Sequence, residues 1–127
     1  MLPLLKRKAR LLLLDDDPAM QRLISALLRR AGYRVDVVSA GTPAIEKLGK
    51  VEYGALLLDL MTPTDGGMTV IRHLKKNRPE LLRRVLLVTA SPESLLKSVA
   101  PDVAAVVQKP FEADELLKTV ERVVTQR

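Results

Sequence analysis

Three aspartates stand in a row at positions 15–17, directly after four leucines, in the run LLLLDDDP. Two carboxylates about 4 Å apart repel by roughly 4 kcal/mol at an effective dielectric of 20, so water, a cation or protonation must offset them. Another carboxylate, Asp59, closes GALLLD; Thr89 closes VLLVT; Lys109 follows VAAVVQ. Asp15, Asp16 and Asp59 make a hard, oxygen-rich set of the kind Mg²⁺ accepts, usually with room left for phosphate oxygens. Lys109 adds a compact positive charge and Thr89 a hydroxyl donor. Metal, ammonium and hydroxyl spread over three equatorial oxygens describe a phosphoryl site. The sequence has no Gly-rich phosphate loop, and His73, its one histidine, has no serine nucleophile to serve. The nucleophile that remains is a carboxylate, which would form an aspartyl phosphate. Asp59, alone at the tip of an apolar run, is the central candidate.

These residues need elements to hold them. Short apolar runs alternate with amphipathic stretches along the chain. Arg10–Leu14, Tyr33–Val38, Gly54–Leu58, Val85–Val88 and Val103–Val107 read as strands. Asp17-Pro18 starts a helix, with Asp as N-cap and Pro at the first position; Met20, Leu23, Ile24, Leu27, Leu28 and Ala31 mark its buried face, and Gly32 ends it. Thr42-Pro43 caps a helix running to about Lys50. Met68–Asn77, a stretch capped by Ser91-Pro92, and Glu112–Val124 complete five strand–helix units. Continuous apolar strands alternating with helices predict a parallel α/β sheet covered on both faces. The aspartates, Thr89 and Lys109 all fall at or just past strand C-terminal ends, where open α/β sheets bind ligands.

The chain has 127 residues, of which 47% are hydrophobic and 2% aromatic. One compact domain with an aliphatic core follows. There is no cysteine, which excludes disulfides and thiolate metal sites. Every apolar run is far shorter than the ~20 residues a bilayer requires, and four leucines after a basic cluster are too few for a signal peptide. A cytoplasmic protein without membrane contact is expected. The net charge of +6 permits an anionic partner but says nothing of fold.

LLLLDDDP, ALLLDLMTPTDGG, VLLVTAS and VVQKPF, in that order, resemble the signature blocks of response-regulator receiver domains of two-component signalling. The resemblance runs from about residue 10 to 125, leaving residues 1–9 as a basic N-terminal extension and 10–127 as the receiver domain. Thr89 follows Asp59 by 30 positions, the usual separation. The resemblance implies a flavodoxin-like (βα)₅ fold with strand order 2-1-3-4-5. It implies that Asp59 is the phosphoacceptor, Asp16 a direct Mg²⁺ ligand and Asp15 a ligand mainly through water. The Met61 carbonyl would complete the metal site. Thr89 would be the switch hydroxyl, Lys109 the phosphate counter-charge, and Lys109–Pro110 a cis bond. A histidine kinase or phosphotransfer protein would donate the phosphoryl group. A downstream protein would read the face made by the fourth helix, fifth strand and fifth helix. The domain would act as a monomer or weak dimer, as a signalling switch and not an enzyme on other substrates.

Several features depart from the family pattern. Val106 stands where receivers carry Tyr or Phe, so the usual aromatic rotamer switch is missing. Lys109 follows Thr89 by 20 positions, a slight shortening expected around Val99–Asp102. TPTDGG replaces the pattern with Asp directly before the last Gly. Basic residues gather at Arg72, Lys75, Lys76, Arg78, Arg83 and Arg84; the plain reading is a solvated face, the functional one an acidic partner. Without interleaved aromatics or a helix-turn-helix, direct DNA binding is not expected. His73 reads as a surface residue. Two alternatives stay open: a receiver-fold scaffold acting without phosphorylation, and a receiver excised from a larger regulator.

Overall fold

A computed structural model describes residues 8–61 and 64–126. Five strands, β1 (Arg10–Leu14), β2 (Arg34–Val38), β3 (Ala55–Leu58), β4 (Val85–Thr89) and β5 (Ala105–Gln108), alternate with five helices. The helices are α1 (Pro18–Arg30), α2 (Gly41–Leu48), α3 (Gly67–Asn77), α4 (Glu93–Val99) and α5 (Ala113–Thr125). All strand pairs are parallel, in the order β2-β1-β3-β4-β5, as expected.

β3 is apolar throughout, and β1 and β4 are apolar apart from Arg10 and Thr89 at their ends, because both their faces are covered. Side chains alternate across a strand, and the alternation divides the core in two. Leu12, Leu14, Leu56, Leu58 and Leu87 pack with Ala44, Leu48, Ile71, Leu74 and Leu96 of α2, α3 and α4. Leu11, Leu13, Leu57, Leu86 and Val88 pack with Ile24, Leu28, Leu116 and Val120 of α1 and α5. The sheet is therefore a central layer between two helical layers.

α1 begins as predicted: Asp17 is the N-cap, its side chain accepts from the Ala19 amide at 3.0 Å, and Pro18 occupies the first turn. Gly32 follows the helix with φ +101°, a left-handed conformation that suits glycine. The Lys109–Pro110 bond is cis.

Three local readings are corrected. Thr42 does not cap α2; the helix opens at Gly41, and Asp65 from a distant loop accepts the Thr42 amide. Ser91 does not cap α4, because its hydroxyl is engaged with Thr89. β5 begins at Ala105 rather than Val103, since Pro101 lies in a 3₁₀ turn (Ala100–Asp102) and the Val103 amide is spent on Ala100. A second 3₁₀ turn, Pro79–Arg84, carries Arg83 and Arg84 of the basic cluster before β4, while Arg72, Lys75 and Lys76 lie on α3.

Within that cluster Lys75 pairs with Asp102 at 2.8 Å, Arg78 with Glu80 at 3.3 Å, and Arg84 donates to the Tyr53 carbonyl at 2.9 Å. Arg72, Lys76 and Arg83 are exposed. Of the predicted basic extension, Lys6 and Arg7 lie outside the described residues; the Lys8 ammonium stands 5.1 Å over the Tyr33 ring. No helix among the described residues is long and apolar enough to cross a membrane.

One polar knot ties the edge of the sheet. The Tyr53 hydroxyl donates to Asp36 at 2.6 Å, and the Arg10 guanidinium pairs with the same carboxylate at 3.0 Å. Burial alone would raise the Asp36 pKa, but the bonds from Tyr53 and Arg10 outweigh it and hold the group below its ordinary value. A carboxyl depressed in the fold adds stability above its unfolded pKa of about 3.9, and that stability is lost as pH falls through the lower folded value. Tyr53→Phe is therefore expected to cost about 1.5–3 kcal/mol at pH 7, the range for hydrogen bonds to charged groups. In urea denaturation the gap to wild type should narrow below about pH 4; a gap that ignores pH would exclude the charged bond as its cause.

Candidate phosphoryl-transfer site

The sheet order reverses between β1 and β3, and the crevice beyond the strand ends lies there. Register decides what enters it. Leu14 pairs with Leu58, so Asp15 and Asp59, the next residue on each strand, emerge side by side. The Asp59 amide donates to the Leu14 carbonyl at 3.0 Å. On the other side Thr89 pairs with Gln108, and Lys109 follows with its amide on the Thr89 carbonyl at 3.0 Å.

Four strand ends thus converge. The Lys109 ammonium lies 2.7 Å from Asp15 Oδ2 and 3.0 Å from Asp59 Oδ2. The Thr89 hydroxyl donates to Asp59 Oδ1 at 2.8 Å, and the Met61 amide donates to the same oxygen at 2.9 Å. Asp15 Oδ1 accepts the Asp17 amide at 3.0 Å. Asp15, Asp59 and Thr89 are buried, at 1%, 6% and 0% exposure, while Asp16 is open to solvent. Burial would pull the Lys109 ammonium down, but its bonds to Asp15 and Asp59 outweigh that and raise its pKa above the ordinary value.

Every predicted carboxylate joins one cluster: oxygens of Asp15, Asp16 and Asp59 lie within 4.8 Å of one another. Three carboxylates against one ammonium leave an oxygen-only set with excess negative charge, which fits a hard divalent cation such as Mg²⁺. His73 belongs to no such cluster among the described residues; it sits half-buried on α3 with its ring on the Asn77 amide. Met61 presents its backbone amide to the Asp59 carboxylate while its side chain is exposed.

Val106 pairs with Leu87 on β5 and is half-buried. It borders a hollow of about 370 Å³ that Leu96 and Ala100 line with the flanks of Glu93, Lys97 and Gln108. The larger hollow of about 430 Å³, between Tyr53, Arg83, Arg84 and Val123, lies at the opposite end of the strands and shares no residue with the acidic cluster.

The sequence reading missed Ser91. Its buried hydroxyl lies 2.7 Å from Thr89 Oγ1. Thr89 has one hydroxyl proton and directs it at Asp59, so Ser91 must donate to Thr89, aligning that proton. Ser91-Pro92 resembles a helix start, and that local signal concealed the role. Gly67 was also missed: its amide donates to the Asp59 carbonyl at 3.0 Å, and a Cβ there would fall 2.6 Å from that oxygen, so only glycine closes the loop.

Comparison with known proteins gives the family. The family model of the response regulator receiver domain matches residues 11–121. The transcriptional regulatory protein DltR of Streptococcus agalactiae is 33% identical over 87% of this chain, which spans about half (50%) of DltR's length. The response regulator receiver protein CpdR of Brucella abortus is 31% identical over 91% of this chain and 96% of its own. The receiver domain of sensor histidine kinase PA1611 from Pseudomonas aeruginosa, solved with a magnesium ion coordinated in its active site cleft, superimposes with a TM-score of 0.81. It is 27% identical, over 92% of this chain and 98% of that one. On the family match, the relatives and the shared five-stranded fold, this chain belongs to the response regulator receiver domains, the signalling modules of two-component systems.

Proposed function

We propose that this domain is a phosphorylation-controlled switch whose acceptor is Asp59. The observation that carries the reading is the convergence on one carboxylate: Lys109 on Asp59 Oδ2, and Thr89 with the Met61 amide on Oδ1. The donor is a phosphohistidine on a histidine kinase or phosphotransfer protein. A carboxylate oxygen of Asp59 attacks phosphorus as the phosphorus–nitrogen bond breaks; the imidazole nitrogen keeps the electron pair and takes a proton. Lys109 offsets charge on the phosphoryl oxygens and holds Asp15 in place. Thr89, aligned by Ser91, supplies the hydroxyl that bonds the new phosphoryl group.

Asp15, Asp16 and Asp59, with the Met61 carbonyl, would hold Mg²⁺. Bound Mg²⁺ supplies neutralisation of the negative charge gathered on carboxylate and phosphoryl oxygens. New charge-assisted bonds then bias the arrangement of α4, β5 and α5, and a downstream protein reads that face. With Val106 in place of an aromatic, the signal passes by α4 and β5 packing and not by a swinging ring. The domain comprises residues 10–127 with a basic extension before it, works in the cytoplasm as a monomer or weak dimer, and does not itself bind DNA. The scaffold alternative draws support from Val106 and the altered TPTDGG loop.

The test is incubation with acetyl phosphate or phosphoramidate, with and without Mg²⁺, read by intact mass. The expected result is a Mg²⁺-dependent gain of about 80 Da, one phosphoryl group. No gain under either condition would leave the scaffold reading in its place.

A further inference from the structure

The loop between β3 and α3 carries the acceptor at its start and Asp65 near its end, and Asp65 reaches a different element. Asp65 Oδ2 accepts the Thr42 amide at 3.0 Å, and the Asp65 carbonyl accepts the Gly41 amide at 3.0 Å. Those are amides of the first turn of α2, which have no partners inside the helix. Helices usually meet them with their own Ser, Thr, Asp or Asn cap. Here the cap position is Ala40, which offers no side-chain acceptor. The cap comes instead from Asp65, 23 positions after Thr42.

The contact is close. A Cβ on Gly41 would lie 2.6 Å from Asp65 Oδ1 and 2.7 Å from the Gly66 carbonyl, so glycine at 41 is what lets the loop lie against the helix. The Thr42 amide, above all, holds the Asp65 carboxyl below its ordinary pKa. The same loop and the first residue of α3 touch the acceptor, through the Met61 amide on Asp59 Oδ1 and the Gly67 amide on the Asp59 carbonyl. α2 is thus fastened to the segment that holds the nucleophile.

We propose that Asp65 is a positioning residue for phosphoryl transfer: by anchoring the β3–α3 loop to the N-terminus of α2, it keeps the Met61 backbone against the Asp59 carboxylate. This rests on Asp59 as acceptor. It also gives a role to the TPTDGG sequence, whose aspartate is displaced from its usual place. The competing explanation is that Asp65 only stabilises α2.

Those two explanations separate when α2 is given a cap of its own. Ala40 has φ −151° and ψ 164°, the extended conformation an N-cap adopts, so once the Asp65 carboxylate is removed Ala40→Asp can cap α2 from its own segment. Three variants are compared with wild type: Asp65→Ala, Asp65→Asn, and Ala40→Asp with Asp65→Ala. The readouts are thermal stability, hydrogen exchange of the Met61 amide by NMR in metal-free protein, the Mg²⁺ concentration for half-saturation, and the labelling rate with acetyl phosphate.

Asp65→Ala is expected to lower stability, speed Met61 exchange, and weaken Mg²⁺ binding and labelling about tenfold, the low end of what outer partners of metal ligands command. Asp65→Asn keeps an acceptor oxygen, since Asn caps as well as Asp, and should match wild type throughout. The double variant should recover stability but keep the fast Met61 exchange and slow labelling. If its labelling and Met61 protection recover along with stability, Asp65 is a helix cap and nothing more. Unchanged Met61 exchange in Asp65→Ala would overturn the proposal as well. Should wild type take no phosphoryl group, the acceptor reading fails, while metal-free Met61 exchange still decides whether Asp65 positions the loop.

Discussion

Asp59→Asn is expected to take up no phosphoryl group from acetyl phosphate at any Mg²⁺ concentration, a loss of at least about a thousandfold in rate, or some 4 kcal/mol of transition-state stabilisation. The substitution preserves shape and keeps a carbonyl oxygen to accept from Thr89 and the Met61 amide, which hold Asp59 Oδ1 at 2.8 and 2.9 Å. It removes the negative charge, the nucleophilic oxygen and one of the two anions that Lys109 bridges. The fold should persist because the Asp15–Lys109 pair remains. Intact mass after a fixed incubation reads the result, and circular dichroism verifies the fold. Labelling at the wild-type rate would move the acceptor elsewhere, with Asp15 and Asp16 the first to be substituted.

The second large effect belongs to Lys109. Its ammonium is the one cation within salt-bridge distance of the buried Asp15 and Asp59 among the described residues. Removing one partner of a buried ion pair leaves an uncompensated charge and typically costs about 3–5 kcal/mol. Lys109→Met, which keeps the stem and deletes the charge, is expected to lose that much in metal-free urea denaturation. Added Mg²⁺ should then recover more stability than it adds to wild type, because the ammonium no longer competes for the same oxygens. At a hundred times its dissociation constant a ligand contributes about 2.7 kcal/mol, so most of the loss is recoverable. Labelling should nonetheless stay at least about tenfold slower, as the charge facing the phosphoryl oxygens is gone. Equal stability of variant and wild type without metal, or an equal response to Mg²⁺, would contradict this account of Lys109.

These two residues answer why a chain drives LLLL into DDD. Asp17 is spent on capping α1. Asp15 is buried against Lys109. Asp16 remains in solvent beside them as the third carboxylate of the cluster. Three adjacent like charges therefore have three separate environments: Asp15 shares the buried part of the site with Asp59, Asp16 joins the cluster from the solvent side, and Asp17 lies outside it.

The sequence by itself determined the strands, their burial, the α1 cap, the sheet class and the identity of the acidic cluster. Each rests on a local signal: an apolar run, a spacing of three and four, or a polar residue at the end of a strand. The tertiary structure alone decided what those signals do not carry. Thr42 and Ser91 each stand before a proline in cap-like sequences, yet neither caps its helix. Asp65 takes the Thr42 amide, and Thr89 takes the Ser91 hydroxyl. Helix amides and hydroxyls bond whichever acceptor lies in reach, and reach is set by the packing of a loop distant in sequence. The same holds for Gly41 and Gly67, whose lack of a Cβ matters only because Asp65 and the Asp59 carbonyl come within 2.6 Å of where one would be. Residue type limits which bonds a side chain can make, and parallel pairing across the sheet selects which of them it does make.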